Sequence, residues 1–130
     1  MNKFLILLLL ALAPVASLQA QDVRSSSGSL IGRISGNEVR NSSGNLLYRL
    51  NGDEVRDASG RLYLRLDGSD IRNASGSLLG RFDGQDVRDS SGRLLGRIEG
   101  SDVRSASGNL MGRVSGVSGR HAALFFFFLH

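Results

Sequence analysis

From residue 21 onward, apolar and polar positions follow a cycle of sixteen residues, run six times from Gln21 to Gly116 without insertion or deletion. The units read QDVRSSSGSLIGRISG, NEVRNSSGNLLYRLNG, DEVRDASGRLYLRLDG, SDIRNASGSLLGRFDG, QDVRDSSGRLLGRIEG and SDVRSASGNLMGRVSG. Within each, one piece alternates with period two, as in Leu78, Gly80 and Phe82, in Leu62, Leu64 and Leu66, or in Leu46, Tyr48 and Leu50. That period places the alternate residues on one face of a β-strand. A shorter piece carries a single β-branched residue among charged and polar neighbours: Val23, Val39, Val55, Ile71, Val87 and Val103. The pattern therefore predicts two strands per unit, and the glycines of every unit would interrupt any helix.

The turns decide how the strands connect. Gly36-Asn37, Gly52-Asp53, Gly68-Ser69, Gly84-Gln85 and Gly100-Ser101 put glycine at the first central position of a two-residue hairpin. That position needs positive φ in a type II′ turn. Such a turn sets Ile34 opposite Val39, Phe82 opposite Val87, Arg33 opposite Arg40 and Ser35 opposite Glu38. The other turn, as in Asp89-Ser90-Ser91-Gly92, opens with Asp, Asn or Ser and closes with glycine, which predicts a type I turn and a bulged hairpin. Reversals at both ends of every strand predict an antiparallel hairpin meander and argue against a parallel β-solenoid. One unit cannot bury its own apolar face, so the units must pack on one another.

The charges sit in the same register. Diagonal pairs such as Arg81 with Asp86 and Arg88 with Asp83 are expected to form a checkerboard that keeps one face soluble. Pairing of each arginine with the acid at the second position of a unit is the plainest role for these side chains. Ile31, Leu47, Tyr63, Leu79, Leu95 and Met111 fall on the arginine side by strict alternation, which predicts that this side is partly buried between neighbouring hairpins.

Both ends of the chain depart from the cycle. Lys3, the apolar run Phe4 to Ala13 and the small-residue stretch Pro14 to Ala20 have the layout of a secretory signal peptide. Cleavage after Ala20 would begin the chain at Gln21, the first residue of the first unit; Ser17 is the alternative site. The expected organisation is a leader at 1–20, one repeat domain at 21–116 and an apolar tail at 117–130. The expected location is outside the cytoplasm: periplasmic, outer surface or extracellular. The chain has no cysteine, which excludes disulfides and thiolate metal sites. Its formal charge of +4 comes from interleaved signs rather than a basic block, so nucleic acid is not an expected partner. The tail ends in Phe125, Phe126, Phe127 and Phe128, read either as a final strand or plug over the axial opening, or as a membrane or partner contact.

These units, of the form D-V-R-(D/N/S)-(S/A)-S-G-x-L-x-G-R-I-x-G behind a signal peptide, resemble the five-fold β-flower repeats of exported bacterial proteins. The likeness covers Gln21 to Gly116. It implies β-hairpins arranged radially about one axis, with no assigned activity and no catalytic residue to carry over. Five Gly-X hairpins are complete, and the two leftover half-units, Asp22 to Arg24 and Leu110 to Val114, would pair to close the ring; a six-fold ring is the alternative count. Tyr48 and Leu64 stand where the other units have Gly32, Gly80, Gly96 and Gly112, which breaks the symmetry. A weaker resemblance, through Arg56-Asp57-Ala58-Ser59-Gly60-Arg61-Leu62, is to YD-type repeats of toxin shells, which rely on more tyrosines than this chain has.

The expected fold class is thus all-β, a radially closed antiparallel meander. No catalytic constellation, cofactor site or metal site is expected: the repeats lack histidine, and the acidic turns Asp67-Gly68-Ser69-Asp70 and Asn51-Gly52-Asp53-Glu54 lack the spacing of known calcium loops. The candidate ligand-binding residues are Arg33, Arg49, Arg65, Arg81, Arg97 and Arg113, whose guanidinium groups suit an anionic surface glycan or lipid headgroup. A non-enzymatic structural or interaction module, meeting a cell-envelope polymer or protein, is the expected function. An enzyme would need a pocket that breaks the symmetry near Tyr48, Tyr63 and Leu64.

Overall fold

Each unit folds as one short and one long strand, and the computed structural model describes residues 21–129. The expected leader at 1–20 lies outside the described residues. Short strands β1 (Asp22–Ser25), β3 (Glu38–Asn41), β5 (Glu54–Asp57), β7 (Asp70–Asn73), β9 (Asp86–Asp89) and β11 (Asp102–Ser105) alternate with long strands. The long strands are β2 (Leu30–Ser35), β4 (Leu46–Asn51), β6 (Leu62–Asp67), β8 (Leu78–Asp83), β10 (Leu94–Glu99) and β12 (Leu110–Val114). All pair antiparallel with their chain neighbours, and β1 pairs with β12 to close a barrel. The closing register, Val23 against Val114, matches Ile34 against Val39 and Phe82 against Val87 in the turn-linked hairpins. The two half-units therefore make a sixth sector, and of the two counts left open by the sequence the ring takes six. Closure leaves no free sheet edge among the described residues.

The turns have the chemistry their residues demand. Gly36 has φ 62°, while no residue other than glycine has positive φ among the described residues, as a type II′ turn requires. At the other end Asp89 and Gly92 close a type I turn, with Gly92 N donating to Asp89 O at 3.1 Å and Asp89 N to Arg93 O at 2.9 Å. A bulge follows, and the register shifts between Leu94 and Gly96.

That bulge corrects one expectation. Leu46, Leu62 and Leu78 fall opposite Arg40, Arg56 and Arg72 rather than in line with Tyr48, Leu64 and Gly80, while Ile31, Tyr63, Leu79, Leu95 and Met111 pack against the core and Leu47 stays exposed. The extra residue shifts the phase of alternation near the bulged turns, so strict period two holds only beyond it.

The core is built in tiers. Val23, Val39, Val55, Ile71, Val87 and Val103 are buried on the short strands, and Ile34, Leu50, Leu66, Ile98 and Val114 on the long ones. Helix α1 (Gly119–Ala123), capped by the Ser118 hydroxyl accepting from His121 N at 3.2 Å, leads into a π-helical turn over Leu124–Phe128. The tail is therefore a helical plug within the barrel, neither a thirteenth strand nor a lid. It begins at the type II′ rim, where Arg120 lies 3.9 Å from Asp53 and Gly119 packs on Phe82 and Ile98. Leu129 ends it near Leu46, Leu47 and Ala58 at the bulged-turn rim.

Plug and wall are complementary in size. Where the wall carries Phe82 and Ile98, the tail supplies Gly119, with Ala122 and Ala123 wholly buried one turn on. Where the wall is glycine, the tail supplies phenylalanine. A Cβ built on Gly32 would lie 2.8 Å from Phe125 Cζ, one on Gly112 2.6 Å from Phe126 Cζ, one on Gly96 2.5 Å from Phe127 Cζ and one on Gly80 2.8 Å from Phe128 Cζ. Successive phenylalanines thus face successive long strands in ring order: β2, β12, β10, β8. In the two remaining sectors the wall supplies its own bulk, Leu64 and Tyr48. The wider π-helical winding turns less per residue than the roughly 100° of an α-helix, which brings the rings closer to the angular spacing of the six sectors.

Candidate functional site

The outer wall carries the repeated charge, and its two rows of arginine do different things. The short-strand row is structural. Arg24, Arg40, Arg56, Arg72, Arg88 and Arg104 each donate to the carbonyl of the glycine that ends the following turn, for example Arg40 Nη1 to Gly44 O at 2.8 Å and Arg88 Nη1 to Gly92 O at 3.0 Å. Each also pairs with the acid two residues before it, as Arg88 does with Asp86 at 3.2 Å and Arg56 with Glu54 at 2.9 Å. The arginine is thus a brace between its own strand and the bulged turn. Sequence reasoning missed this role, although the constant spacing of Arg and Gly, four residues apart in every unit, carried the signal.

The long-strand row contains the candidate residues Arg33, Arg49, Arg65, Arg81, Arg97 and Arg113, all exposed around the belt of the barrel. Four of them face an aspartate directly across the bulged hairpin. Arg33 Nε lies 3.3 Å from Asp22, Arg81 Nε 2.8 Å from Asp70, Arg97 Nε 3.3 Å from Asp86 and Arg113 Nε 3.2 Å from Asp102. Each of these aspartates joins two arginines, one on its own strand and one opposite. The expectation of pairing with the second-position acid holds. The diagonal partners do not: Arg81 pairs with Asp70 rather than Asp86, and Arg88 with Asp86 rather than Asp83. Direct cross-strand neighbours are closer than diagonal ones, and Asp83 is too short to span the gap. The equivalent diagonal, Arg104 to Glu99, forms at 3.4 Å with the longer acid.

Arg49 and Arg65 differ. Their cross-strand partners are Glu38 and Glu54. Glu38 Oε1 accepts from both Nε and Nη2 of Arg40, at 3.2 and 2.8 Å, and Glu54 Oε1 accepts likewise from Arg56 at 3.2 and 2.9 Å. The longer glutamate folds back on its own strand. Arg49 and Arg65 make no ion pair among the described residues, so they are the two guanidinium groups of this row open to a ligand.

The same units hold the other irregularities. The rings of Tyr48 and Tyr63 lie 5.1 Å apart with a 35° tilt. Burial, then the neighbouring Tyr63, raises the Tyr48 phenol above its ordinary value. A cavity of about 610 Å³ opens beside Tyr48 at the bulged-turn rim. The expected symmetry break near Tyr48, Tyr63 and Leu64 is therefore where the ring is least regular, although Leu64 itself is buried in the lumen.

No curated protein and no solved structure matches the chain. The model of one family does, over residues 13–130, which takes in the whole barrel and its plug. Six in-phase units, a radial hairpin ring and this match together establish that the chain belongs to the family of 5-fold beta-flower proteins.

Proposed function

We propose that this β-repeat module works outside the cytoplasm as a non-catalytic interaction scaffold of the cell envelope. The observation that carries this reading is the use of the lumen. The chain fills the axis of its own barrel with Phe125, Phe126, Phe127 and Phe128, so the outer wall and rims are what it offers to a partner. Contact of these rings with a membrane or partner would require them to withdraw from the glycines they face, so we assign the interaction to the wall instead. Export is tested at the N-terminus: the secreted protein should begin at Gln21, and an intact Met1 to Ala20 would overturn the assignment.

A second reading, recognition of an anionic surface glycan or lipid headgroup, is favoured by the uncommitted Arg49 and Arg65. The other four arginines of their row must first give up an aspartate to take such a ligand. Retention on a polyuronate column should fall clearly in the Arg49→Gln/Arg65→Gln double variant, and fall less in Arg33→Gln/Arg113→Gln, which also loses two charges. Equal losses would mean that net charge alone drives retention, and no loss in either would remove the arginines as ligands.

A further inference from the structure

Units two and three depart from the others at one rim of the barrel, and the departures line one cavity. Tyr48 replaces the glycine of its sector and lies directly across the β4–β5 ladder from Asp57. Leu47 beside it is the exposed large hydrophobic residue of the described chain, at 37 %. The cavity, about 610 Å³ and broadly open to solvent, is walled by Leu46, Leu47, Tyr48, Asp57, Ala58 and Leu129.

Its chemistry has one sign. Asp57 is the charged group among the described lining residues. The hydrogen bonds to its carboxylate all end on Oδ1: Ser59 N at 3.0 Å, Ser59 Oγ at 2.7 Å and Arg61 N at 3.0 Å. Among the described residues Oδ2 takes none of them. A carboxylate oxygen, a tyrosine ring and aliphatic walls together suit a positive charge carried on an apolar body. Arg61 meets this carboxylate through its backbone N–H, and its side chain is exposed.

We propose that this cavity is a binding site for a small organic cation, an ammonium group bearing an apolar chain or ring. The charge sits between Asp57 Oδ2 and the Tyr48 ring, and the apolar body lies against Leu46, Leu47 and Leu129. The site is separate from the arginine wall and takes a ligand of opposite charge, so either assignment can fail without the other.

The protein supplies its own reporter. Tyr48 and Tyr63 are its two tyrosines and it has no tryptophan, so tyrosine emission reads this rim alone. Octyltrimethylammonium, kept below its micelle concentration, should change that emission saturably and give a matching heat by calorimetry. Octyl sulfate and octanol test the chain without the positive charge, and tetramethylammonium tests the charge without the chain; each should bind several-fold more weakly. Asp57→Asn should weaken octyltrimethylammonium by about three- to tenfold, and Asp89→Asn, in the equivalent turn of another unit, should not. Both should fold, because Asn73 already opens the same turn and its Oδ1 accepts the same three bonds, from Ser75 N, Ser75 Oγ and Ser77 N at 3.0, 2.7 and 3.0 Å. Leu47→Lys, at an exposed position, should weaken the cation as well. Equal binding of the three octyl compounds would reduce the site to an apolar patch. Absence of saturable emission and heat, or an Asp57→Asn variant that binds as the parent does, would overturn the proposal.

Discussion

Single residues in this protein act by length and charge in a fixed register. Aspartate at the second position reaches two arginines and glutamate reaches one, so a one-methylene difference decides which guanidinium groups are free. The turn acids behave alike. Hydrogen bonds from the Ser59 hydroxyl and Arg61 N hold the Asp57 carboxyl below its usual range, and Ser91 and Arg93 do the same for Asp89. Burial, with the nearby Arg120, holds the His121 imidazole below its usual value. All three groups are harder to protonate in the folded chain than in the unfolded one. The unfolded state therefore takes up protons first as pH falls, and stability drops. For His121 the loss begins as pH falls below the ordinary value of 6.5, and for the two aspartates below 3.8. Melting temperature should decline from neutral to mildly acidic pH, and His121→Gln should flatten that first decline while leaving the one at lower pH. A melting temperature that rises on acidification would contradict the burial of His121.

At the scale of elements, the informative pairing is between the plug and the long strands. Gly96 and Phe127 form one key and slot, and a Cβ at Gly96 would also meet the Arg104 carbonyl. Gly96→Leu should therefore destabilise by about 1–3 kcal/mol or more through overpacking. Phe127→Ala should cost about 2–4 kcal/mol through the cavity it leaves, a figure reduced because the ring is only partly buried. Together they should recover part of the loss, because Leu64 already fills its own sector from the wall. Denaturant melts of the single and double variants measure that coupling, and strict additivity would deny the contact. The strands themselves were legible from period two and turn residues. The displaced register of Leu46, Leu62 and Leu78 was not, because a bulge changes the phase of alternation without leaving a residue that announces where.

For the whole molecule, closure is what makes twelve short strands stable. Each hairpin alone is marginal; ringed, each of the twelve described strands has two partners. Deleting one complete unit, residues 69–84, leaves ten strands and removes Gly80, the slot of Phe128. The ring would then be too narrow for its plug, so a large fall in melting temperature is expected, with exposure of apolar surface to a hydrophobic dye. An unchanged melt would mean that the sectors are independent of closure. Removal of 119–130 should have a comparable effect without shortening the ring, since the lumen then loses its apolar filling.

The sequence by itself determined the repeat, the strands, both turn types, the hairpin register and the family resemblance, because each rests on neighbours within one unit or on glycine's freedom at positive φ. Closure through the two half-units was what the family resemblance implied, and the pairing of β1 with β12 bears it out. Only the tertiary structure decided the number of sectors, the fate of the tail and which arginines are free. These depend on contacts between residues far apart in the chain: β1 with β12, and four phenylalanines with four glycines. In hindsight the matching counts of tail phenylalanines and wall glycines stood in the sequence. What pairs them is a helix threaded through the ring, and no local pattern encodes a lumen that exists only after the ring has closed.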